Sequence, residues 1–172
     1  MNKNFILIKD NVFSQKECET MISQFSQNLL IAEKEGMNYH FSDLNYFEHM
    51  DKLNLVTKEY ESTYNEISKT ISIWQLDSLR FKYFKPGCVF SEWHSEHCFT
   101  FPNRVLSLQI YLTEHNCGTE FYNGDVIESK IGRVALFPAY FTHTHRGQVC
   151  PENKDRYIIT GYINFTKKGT YE

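Results

Sequence analysis

Val105-Leu106-Ser107-Leu108-Gln109-Ile110-Tyr111-Leu112 is the stretch on which the fold turns. In a strand, Leu106, Leu108, Ile110 and Leu112 point one way and Ser107, Gln109 and Tyr111 the other. The polar row has two readings, a solvent-facing side or the lining of a binding cavity. Working outward, Leu79 to Phe84 reads as a strand closed by the turn Lys85-Pro86-Gly87. Beyond Leu112, short strands are expected at Glu120 to Tyr122, Val126 to Lys130, Arg133 to Phe137 and Arg156 to Phe165, with Cys117-Gly118, Asn123-Gly124, Gly132 and Pro138 as punctuation. Strands recurring roughly every 8 to 12 residues with turns between them make a sandwich or a closed barrel.

The amino-terminal half differs. Phe5 to Ile8 is a first strand candidate, and Ser14 with Glu17 three residues on forms a capping-box pattern. A helix is expected from Gln15 to about Leu30, with Cys18, Met21, Ile22 and Phe25 at helical spacing. A second is expected from about Met50 to Ile71, on the stripe Leu53, Val56, Tyr60, Tyr64, Ile67 and Ile71. Glu35 to Glu48, polar and aromatic, reads as a loop.

At 172 residues with 41% apolar and 23% charged residues, the chain can bury a core and is not disordered. Its 14 Phe and 11 Tyr favour strands. A net charge of −3 and no long basic block give no indication of nucleic-acid binding, although a local basic patch stays open. No stretch approaches the ~18 to 20 apolar residues that span a bilayer, and the run Phe5 to Ile8 is too short for a signal-peptide core. Five cysteines at wide spacing, with no Cys-x-x-Cys, argue for reduced thiols and against a disulfide framework or a four-cysteine zinc site. A cytoplasmic protein without a membrane partner is expected.

Three clusters could carry chemistry. His94 and Glu96, two apart, leave the same face of a strand, as do His143 and His145 in Thr142-His143-Thr144-His145. Two imidazoles and one carboxylate suit a non-haem Fe(II) with open positions. His-x-Glu alone is weak in a chain with seven His, and His143 and His145 could equally be turn residues. Arg156 opens a strand in which Ile158 and Thr160 share its face. An inward Arg is costly unless paired, and its fork suits a carboxylate, either of a bound small molecule or of Asp155 or another surface acid.

Taken together, Phe84-Lys85-Pro86-Gly87, Trp93-His94-Ser95-Glu96, Arg104 to Leu112, Gly118-Thr119-Glu120-Phe121, Leu136-Phe137-Pro138-Ala139, Thr144-His145-Arg146-Gly147 and Arg156 to Tyr162 resemble the 2-oxoglutarate- and Fe(II)-dependent oxygenases, in their prolyl 4-hydroxylase-like branch. The match covers about residues 80 to 165, in order. The resemblance implies a mainly β double-stranded β-helix, a jelly-roll or cupin-like barrel with two flanking amino-terminal helices. It implies a single domain over 1–172, with the helical flank at about 14–71 and the barrel at about 74–165. It implies Fe(II) on His94, Glu96 and His145, with His143 as rival for the distal ligand. The cosubstrate would be 2-oxoglutarate, its far carboxylate on Arg156 with Tyr111 and Thr160 beside it, and O2 would be the other reactant. No catalytic residue beyond the metal ligands is implied.

The implied activity is hydroxylation of a substrate C–H bond; halogenases of this fold lack the carboxylate ligand that Glu96 supplies. Peptidyl proline is the substrate class of the branch, and a free small molecule or a modified nucleotide or base stands beside it. The loops around Glu35 to Glu48 and His97 to Asn103 would select the substrate, with Phe47, Phe99 and Phe101 as an aromatic wall or as lid packing. The sequence departs from the pattern at Glu96, where Asp is commoner, and at Phe84 for Tyr, Tyr162 for Trp and Cys117 for the first Gly of a pair. The alternative is a non-catalytic jelly-roll module that binds a metal or small molecule.

Overall fold

Ser14 starts the first helix by satisfying two otherwise open amides. Its Oγ accepts from the Glu17 N–H at 3.3 Å, and Glu17 Oε2 accepts from the Ser14 N–H at 2.8 Å, the reciprocal pattern expected. The computed structural model describes residues 4–69, 73–149 and 153–166. Helix α1 spans Gln15–Phe25 and buries Cys18 and Met21. It stops short of Leu30 because Asn28 takes a left-handed backbone (φ 55°) and Leu30–Lys34 is strand β2. Strand β3, Met37–Leu44, returns across Gly36 (φ 72°) and pairs with β2. The expected loop at Glu35 to Glu48 is therefore mostly a hairpin arm. Tyr39 and Phe41 alternate with Asn38, His40 and Ser42, and that polar row hid the strand period.

Helix α2, Met50–Thr63, buries Leu53, Val56 and Tyr60 as expected. The Tyr60 and Tyr64 hydroxyls donate to the Phe5 and Ile6 carbonyls at 2.9 and 2.8 Å, tying down the amino-terminal segment. The helix ends eight residues earlier than the stripe predicts. There the Ser62 and Thr63 hydroxyls bond back to the Glu59 carbonyl, a local competitor to helix propagation. Ile67–Lys69 is a separate 3-10 turn, and Ile71 lies outside the described residues. No helix among the described residues is long and apolar enough to cross a membrane.

The remaining strands are β1 (Leu7–Lys9), β4 (Ile73–Phe84), β5 (Arg104–Tyr111), β6 (Gly118–Phe121), β7 (Val126–Glu128), β8 (Arg133–Pro138), β9 (His145–Gly147) and β10 (Arg156–Thr166). They form an antiparallel major sheet, β1-β8-β5-β10-β4-β3-β2, and a minor sheet, β7-β6-β9. This is the expected mainly β jelly roll with two helices at its flank. The alternation of β5 divides the interior. Leu106, Leu108 and Ile110 join Phe81, Leu136 and Ile159 against Leu53, Val56 and Tyr60 of α2. Burying each such side chain contributes about 1.5–3 kcal/mol, so this face carries the fold and the opposite face can be polar. A smaller cluster of Tyr111, Phe121, Ile127, Ala135 and Phe137 joins the two sheets.

Candidate active site

Backbone pairing brings the two His motifs together. The His94 N–H donates to the His145 carbonyl at 3.0 Å and the His145 N–H to the His94 carbonyl at 2.9 Å, an antiparallel bridge between the β4–β5 connection and the start of β9. Each ring is then oriented by its own backbone. His94 Nδ1 donates to the Glu92 carbonyl at 2.8 Å and His145 Nδ1 to the His143 carbonyl at 2.9 Å. With the Nδ1–H so used, the neutral ring carries its lone pair at Nε2. Both Nε2 atoms lie near Glu96 Oε1, at 3.4 Å for His94 and 3.8 Å for His145. One ligand atom from each of the three residues falls within 4.8 Å of the others. His143 is held elsewhere, its Nε2 donating to the Asn4 carbonyl at 2.7 Å and its Nδ1 beside the Thr142 hydroxyl at 3.0 Å.

Burial opposes the charge of Glu96, but His94, Lys82 and His145 outweigh it and hold the carboxyl at about 2. Burial, helped by His94, brings His145 down to about 4 against the pull of Glu96. Arg104 Nη1 donates to Glu96 Oε2 at 3.1 Å. Its guanidinium is sandwiched between the Phe101 and Tyr162 rings, 3.6 and 3.4 Å from their centroids. That clamp fixes one carboxylate oxygen and leaves Oε1 facing the imidazoles.

A narrow pocket leads inward from this cluster to Arg156, past Tyr111, Thr119 and Thr160. Arg156 is 5% exposed. Its Nη1 donates to the Gln148 carbonyl at 3.2 Å, and its guanidinium lies 4.4 Å from the Phe84 ring centre. No carboxylate among the described residues pairs with it, and burial lowers it to about 10. Asp155 instead accepts from the Tyr83 and Tyr157 hydroxyls. The row Ser107, Gln109, Tyr111 is buried, not solvent-facing. The Tyr111 and Thr119 hydroxyls both donate to Gln109 Oε1, at 2.8 and 2.5 Å. The Thr160 hydroxyl is buried with no hydrogen-bond partner among the described residues.

Cys117, beside Arg156 at 3.6 Å, is disulfide-bonded, while Cys18, Cys88 and Cys98 are free thiols. This corrects the expectation of reduced cysteines throughout. Chain spacing reports metal and redox motifs, whereas a disulfide depends on distance in the fold. The expected cytoplasmic location loses the support of that argument.

A second cavity of about 370 Å³ opens on the other side of His94 and Glu96, lined among others by Tyr39, Arg80, Lys82, Phe101 and Tyr162. Lys82 borders both cavities. Its Nζ lies 5.2 and 5.3 Å from the Tyr39 and Phe90 ring centres. Burial, reinforced by Arg80, Arg104 and Arg156, pulls it down to about 8 against the field of Glu96. Of the three expected wall aromatics, Phe101 lines this cavity, Phe99 is fully exposed, and Phe47 is buried in the helical core. Phe47 packs on Phe13 and Phe25, so it belongs to the fold. Sequence reasoning passed over Lys82 and Arg104. The signal for Lys82 was available, since Arg80, Lys82 and Phe84 share the face opposite Leu79 and Phe81.

Neither a family model nor a curated protein matches the chain by sequence. Solved structures match by shape. The viral collagen prolyl hydroxylase of Paramecium Bursaria Chlorella virus-1, solved with 2-oxoglutarate, superposes with a TM-score of 0.73 at 20% identity, over 94% of this chain and 96% of that one. A prolyl-4-hydroxylase of Pseudomonas putida gives 0.64 at 14% identity, over 97% and 95%. The Trichoplax adhaerens prolyl hydroxylase, in complex with a hypoxia-inducible-factor peptide, gives 0.67 at 14% identity, over 95% and 84%. The chain has the fold of the 2-oxoglutarate and Fe(II) oxygenases of prolyl 4-hydroxylase type.

Proposed function

We propose that this chain is an Fe(II)- and 2-oxoglutarate-dependent dioxygenase that hydroxylates a C–H bond, with residues 1–172 acting as one domain. The observation that carries this reading is a single constellation. His94, Glu96 and His145 converge at one end of a pocket whose other end holds Arg156, which no acid among the described residues pairs with. Two imidazole nitrogens and one carboxylate are a donor set that suits Fe(II) with open positions. The unpaired guanidinium and the unpartnered Thr160 hydroxyl suit the far carboxylate of 2-oxoglutarate.

When bound, iron and cosubstrate supply the oxidant: O2 is split between the new hydroxyl and succinate, with release of CO2. The chain's own part is placement. Backbone carbonyls on both Nδ1 atoms fix the imidazoles, Arg104 fixes Glu96, and Glu96 remains a charged ligand with no role as a base. Arg156, with Tyr111 and Thr160, takes the cosubstrate's far end. The primary substrate reaches the reacting position through the second cavity. The neighbouring structures named as prolyl hydroxylases make peptidyl proline the first substrate to offer.

The test is turnover. With Fe(II) and O2, 2-oxoglutarate is expected to yield succinate. Arg156→Met is expected to raise the cosubstrate concentration needed while leaving Fe(II) binding intact. A protein that binds both and forms no succinate is a binding barrel and not an enzyme.

A further inference from the structure

The second cavity carries more positive charge than its acids can balance. Its cations are Arg80, Lys82 and Arg104, and its acids are Asp43 and Glu96. Asp43 pairs with Arg80 through two hydrogen bonds, at 2.6 and 3.1 Å. Glu96 Oε2 pairs with Arg104. Lys82 is left over. It is 8% exposed, and among the described residues its Nζ makes no ion pair and no hydrogen bond. The faces of Tyr39 and Phe90 attend it, with Nζ 5.2 and 5.3 Å from their ring centres.

A buried ammonium with no hydrogen-bond acceptor is costly. Its place in the sheet explains why it stays. In β4 it pairs across to Ile158 of β10 and Phe41 of β3, so it stands between the Arg156 pocket and the outer cavity. Arg156 already faces the far end of the inner pocket. Among the described residues the outer cavity, beside His94 and Glu96, therefore has a single positive charge that no acid answers.

We propose that the primary substrate presents a carboxylate to Lys82, placing the carbon that reacts next to the His94–Glu96–His145 cluster. This rests on the oxygenase reading above. One unbalanced cation fits a monoanion. The carboxylate can come from a free small acid, such as an amino acid, or from an acidic residue beside a peptidyl proline, and a cavity of about 370 Å³ admits either.

The test uses the full chain loaded with Zn(II), which is redox-inert, and saturated with 2-oxoglutarate, so that binding is read without turnover. One arm titrates free L-amino acids, L-proline among them, against their primary amides. The other titrates acetyl-Asp-Pro-amide against acetyl-Asn-Pro-amide. In one arm the acid is expected to bind about 10- to 100-fold more tightly than its neutral partner, and that arm names the source. Lys82→Met, which keeps the stem and removes the charge, should erase the preference and leave 2-oxoglutarate affinity within about twofold. Equal binding of acids and amides in both arms, or no binding by either, overturns the proposal. So does a Lys82→Met protein that loses 2-oxoglutarate, because Lys82 would then belong to the cosubstrate site. Should wild type fail to bind 2-oxoglutarate at all, the oxygenase reading itself fails. The acid–amide comparison in wild type stands even if the variant does not fold.

Discussion

Arg133 and Arg156 stand on the same inner face of the major sheet, with only β5 between their strands; among the described residues Arg133 has an acid and Arg156 has none. The fork of Arg133 holds Asp10 at 2.6 and 3.1 Å, and its Nη1 donates to the Glu128 carbonyl at 2.9 Å. That corner is satisfied from within the chain and ties the amino-terminal segment after β1 to β8. Arg156 finds one carbonyl, a sulfur and an aromatic face. Lys82, one residue pair further along the same face, finds only rings among the described residues. The two regions use similar cations for opposite ends: at one, charge closes the fold; at the other, the proposed function supplies the charge with an anion from outside.

The strongest break of this contrast is at the cluster itself. Glu96→Ala removes the carboxylate of the His94–Glu96–His145 cluster, and stoichiometric Fe(II) binding, read by metal analysis after gel filtration, is expected to be lost. Next comes Arg156→Met. The 2-oxoglutarate dissociation constant is expected to rise about 100-fold with thermal stability unchanged or improved, because an unpaired buried charge is removed. A fall in stability with normal cosubstrate binding would make Arg156 structural, like Arg133.

Gly118→Ala probes the frame beside Thr119. A Cβ at Gly118 would lie 1.8 Å from the Ile127 carbonyl oxygen, so β6 must move from β7. A loss of about 2 kcal/mol is expected, or roughly 4–8 °C in Tm. Arg133→Met should cost about 1–2 kcal/mol, discounted because Asp10 is half exposed, and should leave 2-oxoglutarate binding alone.

The smallest effect is far from the site. Lys52 and the Ser14 amide hold Glu17 at about 2, below its ordinary 4.5. A depressed carboxyl stabilises the fold above pH 4.5, and this contribution is lost as pH falls towards 2. Glu17→Gln should flatten the stability–pH curve in that window, by less than about 1 kcal/mol, as followed by circular dichroism.

What the sequence shows clearly is whatever has a local period or a local partner. The alternation of β5 and the Ser14–Glu17 cap read true, and the α2 stripe did so through Leu53, Val56 and Tyr60 but not beyond Thr63, because each depends on residues within one element. The His-x-Glu spacing and the inward Arg156 were visible for the same reason. The β2–β3 hairpin was not, because Leu30 and Ile31 lie exposed on an edge strand and β3 carries a polar row. Nor could spacing show which histidine approaches His94, that Cys117 is bonded, or that Lys82 ends between two cavities. Those depend on register between strands far apart in the chain.

The central claim is that His94, Glu96 and His145 form an iron centre that shares one pocket with Arg156. Its most direct test is anaerobic reconstitution with Fe(II) and titration with 2-oxoglutarate, watching the visible metal-to-ligand charge-transfer band. The account predicts the band in wild type and in His143→Ala, its loss in His145→Ala, and its appearance in Arg156→Met only at much higher cosubstrate. A wild-type protein that shows no band at any concentration, or a His145→Ala protein that keeps it, would contradict the account.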